Sequence, residues 1–140
     1  DVRELSKVGV WKVTNDIRIK EETECGEGSV VVTKGNEIFE RLEEVFKNTD
    51  FQVDIDTSTE VSTITILRKY ENSIEHLEVD IYDSFINITG YDNYECCCEE
   101  GIRCCPESDD VDVLYEKIKD AVITVYAGIT ECRMREMFNN

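Results

Sequence analysis

The sequence predicts an α+β fold: a two-layer sandwich in which an antiparallel β-meander has one face covered by two helices, at about 37–48 and 110–132. Three observations predict it. Four runs alternate apolar and polar residues with the period of two that marks a half-buried strand. Two segments carry apolar residues at three- and four-residue spacing, the pattern of a helix with one buried stripe. No proline-, glycine- or serine-rich linker interrupts the 140 residues, which contain a single proline and are expected to form one domain, 1–140.

In chain order, Val8, Val10 and Val13, then Ile17 and Ile19, flank Asn15-Asp16 and predict a hairpin. A polar loop with Cys25 follows. Val30-Val31-Val32 is expected as a short buried strand, broken by Gly35-Asn36, which then supplies the cap of the first helix. Ile38, Leu42, Val45 and Phe46 form that helix's stripe, widened by Phe39. The four alternating runs come next: Phe51/Val53/Ile55, Ile64/Ile66, Leu77/Val79/Ile81 and Ile86/Ile88, joined by polar turns such as Glu71-Asn72-Ser73.

Five of the seven cysteines then fall within ten positions, Cys96-Cys97-Cys98 and Cys104-Cys105. The intervening Glu99 to Arg103 is expected to turn, making the whole segment a cysteine-rich loop that Pro106 ends. Asp109-Asp110 offers the cap of the last helix, whose stripe is Val111, Leu114, Ile118, Ala121 and Val125. Gly128 is expected to end this helix, kink it or permit close approach of a neighbour, and Met134, Met137 and Phe138 follow as a small apolar end.

Charge is the strongest compositional signal. Fifteen basic against 32 acidic residues give −17, which disfavours direct contact with nucleic acid or an anionic membrane and steers basic partners inward. Residues 51–100 hold 12 acids and two bases, a net of −10, so most of the charge belongs to the meander. If Phe51, Val53, Ile55, Leu77, Val79 and Ile81 face the helices, then Asp54, Asp56, Glu78 and Asp80 face solvent. Glu60, Glu71, Glu75 and Asp83 are expected at strand ends or turns around them, and Thr63, Thr65 and Tyr82 beside them. Asn87-Ile88-Thr89 is an N-glycosylation acceptor triplet whose asparagine shares the outward parity. A wet sheet face is ordinary, but such faces usually mix both signs, and here bases are scarce.

The cysteines admit three readings. In an oxidising compartment Cys25, Cys96, Cys97, Cys98, Cys104, Cys105 and Cys132 supply disulfides, the two groups bridging each other and Cys25 or Cys132, with one thiol left over. A thiol–zinc module is the second reading, although tandem C-x2-C spacing is absent. Free thiols are the third, and the acidic neighbours Glu95, Glu99, Glu100 and Glu107 should raise their pKa values.

Catalytic patterns are missing. The lone histidine, His76, has no nucleophile pattern around it, Asp54-x-Asp56 lacks the glycine and closing glutamate of a calcium loop, and Gly26-x-Gly28 does not continue as a phosphate loop. No cofactor or metal is expected. The apolar stretches are broken by charge every few residues, so no membrane-spanning helix is expected. A start at Asp1, with neither methionine nor an apolar leader, fits a mature secreted chain or a trimmed one. The expected function is a non-enzymatic, secreted acidic binding or decoy protein that captures a basic protein through the acidic sheet face and the adjoining cysteine loop. The alternatives are a cytoplasmic inhibitor that mimics nucleic acid, and a metal-binding cysteine module.

Overall fold

Side-chain alternation in the four runs is satisfied by strands whose apolar residues share one face. The structure, a computed structural model, describes residues 30–139, so the hairpin expected at 8–20 and the loop of Cys25 lie outside it. Its elements are α1 (Val30–Phe46), β1 (Phe51–Thr57), β2 (Ser62–Lys69), β3 (Ile74–Ile81), β4 (Ile86–Asp92), β5 (Glu95–Ile102) and α2 (Val111–Asn139). The strands form one antiparallel sheet in the order β1-β2-β3-β4-β5, with both helices packed against it. Lys34–Asn140 is one compact unit by its contacts, and the sheet and α2 lie within it.

The α+β sandwich stands as the sequence predicts it, with three corrections. First, Val30-Val31-Val32 is the first turn of α1 and not a strand. The buried residues Val31, Ile38 and Leu42 follow a helical period through Gly35, and this outweighs the β preference of three valines. Gly35 lies inside the helix, where a Cβ would stand 2.6 Å from the Ser62 Oγ, so glycine lets α1 approach the start of β2. Asn48, with φ of 64°, supplies the left-handed residue past the helix end.

Second, Glu99 to Ile102 continues a strand that begins at Glu95, and the predicted turn does not form. The chain reverses earlier, at Asn93-Tyr94, where both residues have positive φ (51° and 67°). Two such residues in a two-residue connection match the right-handed twist of the strands they join. The cysteine segment is therefore an edge strand followed by a connection, and not a loop. Third, α2 continues to Asn139.

The core lies between sheet and helices. Ile64, Ile66, Leu77, Val79, Ile81, Ile86 and Ile88 are at most 1% exposed, and Ile38, Leu114, Ile118, Val125 and Ile129 close over them. Each such side chain contributes about 1.5–3 kcal/mol of burial. Gly90 of β4 and Gly128 of α2 draw the helix down: a Cβ on Gly90 would meet Val125 Cγ1 at 2.7 Å, and one on Gly128 would meet the Cys98 Sγ at 2.9 Å. Of the three roles expected for Gly128, close approach is the one it fills. Asp110 caps α2 through its carbonyl, which accepts from the Leu114 N–H. Lys34 ties α1 to the connection before α2, donating to the carbonyls of Pro106 (2.8 Å) and Asp109 (2.6 Å).

Candidate functional site: an acidic sheet face

Strand register turns the sequence pattern into a surface. On the face away from the helices, one row crosses all five strands as Asp54, Thr65, Glu78, Thr89 and Glu99. The next row is Asp56, Thr63, Asp80, Asn87 and Gly101. Five carboxylates thus occupy two adjacent rows, separated by neutral hydrogen-bonding residues. Asp54, Asp56, Glu78, Asp80, Thr63 and Thr65 come together where alternation places them. Tyr82 stands at the β3 end of the face, stacked on the exposed Phe85 with ring centroids 4.5 Å apart.

Two of these carboxylates, Asp80 and Glu99, are oriented by neutral donors without being neutralised. The Thr63 hydroxyl donates to Asp80 (2.8 Å), and the Asn87 amide donates to Glu99 (3.0 Å). Among the described residues every Lys or Arg ion pair lies elsewhere: Arg41 with Asp112, Lys47 with Glu44, Lys119 with Glu116, Arg135 with Glu131, and the buried group described below. A third row, Gln52, Leu67, His76, Tyr91 and Cys96, borders the acidic pair. Here His76 is 7% exposed, its ring stacked on Tyr91 (4.4 Å) and its Nε2 3.6 Å from Glu78, while its Nδ1 has no hydrogen-bond partner. Tyr91 senses the field: burial first, then Glu78 and, more weakly, Asp80 and Glu99, hold its phenol above the usual range. Asn87 faces outward as expected, half-buried, and its side-chain nitrogen, the atom a glycan would take, is already bonded to Thr89 and Glu99.

Glu99 is a site residue the sequence reasoning missed. Taken as part of a turn it had no face, and only the register of β5 with β4 assigns one. Glu75 is misplaced in the opposite sense. It is not on the rim of the acidic face but buried on the helix side, 2% exposed. There Arg133 Nη1 meets its Oε2 at 2.5 Å, Tyr126 and Tyr70 donate to its Oε1 (2.7 and 3.1 Å), and Arg68 Nε stands 3.7 Å away. Arg133 also binds Asp92 at 2.6 Å. Arg68, one of the meander's two bases, is spent in this group, which leaves the outer face still more one-signed.

The cysteines divide by environment. Cys96 is exposed on the outer side, Cys97 and Cys98 meet α2, and Cys104 and Cys105 lie beyond the strand. No disulfide joins any two of the six described cysteines in this structure. Burial, reinforced by Cys98 and Cys132, pushes the Cys97 thiol up to about 12, and burial also raises Cys98 and Cys104. The upward direction is as expected from the sequence, but the first cause is burial and not the neighbouring carboxylates. Among the described residues no three His, Cys, Asp or Glu side chains are placed to hold a metal ion. No described helix is long and apolar enough to cross a membrane.

On the helix side, a groove of about 440 Å³ is lined by Phe46, Phe51, Ile66, Leu77, Val122 and Tyr126. Its walls are almost wholly apolar, without the converging polar groups of a catalytic pocket. No protein-family model, curated protein or solved structure matches the chain.

Proposed function

We propose that this protein is an acidic binding protein whose open sheet face captures a basic protein partner. One observation carries the reading: five carboxylates in two cross-strand rows, two of them held by threonine or asparagine and none paired with a described lysine or arginine. Such an array keeps its full field, speeds encounter with a basic surface and rejects an acidic one. Tyr82 and Phe85, stacked and accessible at one end of the rows, add an aromatic anchor of the kind that concentrates binding energy. The exposed thiol of Cys96, at the β5 end, adjoins the same surface.

The test uses a lysine- and arginine-rich peptide as probe. Titration should perturb the backbone amides of Thr63, Thr65, Glu78 and Asp80, and association should slow roughly tenfold or more between low and physiological salt. The double reversal Asp54→Lys/Asp56→Lys should slow it further at fixed salt. Perturbations spread evenly over α2 and the sheet, with the double variant binding as the parent does, would remove the proposal.

A further inference from the structure

Three consecutive cysteines in a regular strand would point out, in, out. In β5 they do not. Tyr91 pairs with Cys96 and Gly90 with Cys98, so a register shift leaves Cys97 as an extra residue with no cross-strand partner. A bulge of this kind re-aims the side chain it inserts. Cys97 is turned to the helix side together with Cys98, and both thiols are near Cys132, but Cys97 and not Cys98 lines the cleft that Cys132 also lines. Cys98 donates to the Val125 carbonyl at 3.3 Å and is wedged against Gly128, one turn before Cys132. The thiol of Cys132 lies 3.5 Å from the carbonyl of Cys97. A cleft of about 330 Å³, lined by Asp92, Glu95, Cys96, Cys97, Cys132 and Arg135 among others, opens this pair to solution.

We infer that Cys97 and Cys132 are the site of a reversible intramolecular disulfide that fastens α2 to the β5 bulge. The inference is independent of the partner-binding reading, since it concerns the opposite face of the sheet. The oxidant is a small-molecule disulfide. The Cys132 thiol gives its proton to solvent, and the thiolate attacks one sulfur of the small disulfide and expels one small thiol. The Cys97 thiol then loses its proton and attacks the mixed disulfide at the Cys132 sulfur, expelling the second small thiol. Two protein thiols and one disulfide become one protein disulfide and two thiols, and two electrons pass to the oxidant. Burial of Cys97 keeps it protonated at neutral pH, so closure is slow there and speeds as pH rises. The bond would fix the residue next to Arg133, and with it the clasp on Glu75.

The full-length chain treated with hydroxyethyl disulfide under native conditions is the test, followed by a digest cut at Glu95 and Glu99 and tandem mass spectrometry. The expected product links Cys132 to Cys97, with a loss of about 2 Da per bridge and reversal by dithiothreitol. Melting should rise by roughly 5–10 °C, because the bond closes a long loop. A variant keeping only Cys97 and Cys132, the other five changed to serine, should still close, and one keeping only Cys98 and Cys132 should instead accumulate mixed adducts. A bridge from Cys132 to any other cysteine in the native chain, or two adducts without closure in the Cys97/Cys132 variant, overturns the assignment. Should that variant not fold, as circular dichroism would show, the native-chain map decides alone.

Discussion

Arg133, six residues before the end of α2, places its Nη1 2.5 Å from Oε2 of Glu75, a carboxylate at the second position of β3 that is only 2% exposed. The relationship fastens the far end of a long helix to the middle strand of the sheet. Arg133 also holds Asp92 on β4 and lies over the Tyr70 ring at 5.0 Å, while Arg68 stacks on Phe51 and Tyr70. Two acids and two guanidinium groups balance, so the group can be buried without net charge. Removing one member leaves the others uncompensated, which is where such groups cost most.

Glu75→Gln should therefore destabilise the fold by about 2–3 kcal/mol, and Tyr126→Phe, which deletes one donor to the same carboxylate, by about 1–2 kcal/mol. Chemical denaturation measures both. A double-mutant cycle between Glu75→Gln and Arg133→Met should show coupling of about 1 kcal/mol or more, and independent effects would show that the pair is only adjacent.

Tyr126 gives the same group a pH signature. Burial first, then its hydrogen bond to Glu75 and that residue's charge, push its phenol up to about 12, above the ordinary value of 10.0. The folded state thus holds this proton more tightly than the unfolded chain. The associated stability is fully present below pH ~10 and is lost as pH rises toward ~12. Thermal melts across this window should fall less steeply for Tyr126→Phe than for the parent, and an unchanged profile would place the phenol in water.

Most of the fold is legible because it rests on period. Phe51 to Ile55 and Leu77 to Ile81 alternate so regularly that strand, facing and the outward direction of Asp54 and Glu78 follow together. What was illegible depends on register or on distant partners. Val30-Val31-Val32 carries β-branched residues that fit either period over three positions, and the helix is decided by Ile38 and Leu42 further on. Glu99 gains its face only from pairing with Thr89, across a hairpin whose turn residues, Asn93 and Tyr94, lack the glycine that usually announces it. Glu75 looks like a surface acid until Arg133, 58 residues away, arrives to cover it.

The approach of α2 to β4 and β5 depends on two glycines, and one gives a clean prediction. At Gly90 an added methyl would stand 2.7 Å from Val125 Cγ1 and 2.9 Å from both Cys98 Sγ and Ile129 Cγ1, three atoms on two different elements. No single rotamer change relieves all three. Gly90→Ala should cost about 1–3 kcal/mol by overpacking, read from denaturation midpoints. Gly128→Ala should cost less, because the helix gains about 1 kcal/mol of propensity against its clash with Cys98. Equal losses at the two sites would show that the seam is looser than these distances imply.

The acidic face predicts a trade between stability and binding. Same-row acids two strands apart, such as Asp54 and Glu78, are separated by about 10 Å at the usual strand spacing. At that range like charges repel by about 0.4 kcal/mol in water, with Asp56 on the same strand nearer still, and 0.1 M salt screens only part of it. Asp54 is exposed, so its charge works against the fold without a contact to offset it. Asp54→Asn should then raise stability by about 0.5 kcal/mol at low salt while slowing association with a lysine- and arginine-rich peptide. Asp112→Asn is the control: its carboxylate pairs with Arg41 at 2.5 Å at the start of α2, so the change should not stabilise and should leave peptide association within twofold of the parent. If both substitutions slow association equally, net charge alone attracts the peptide, and the rows on the sheet have no special part in it.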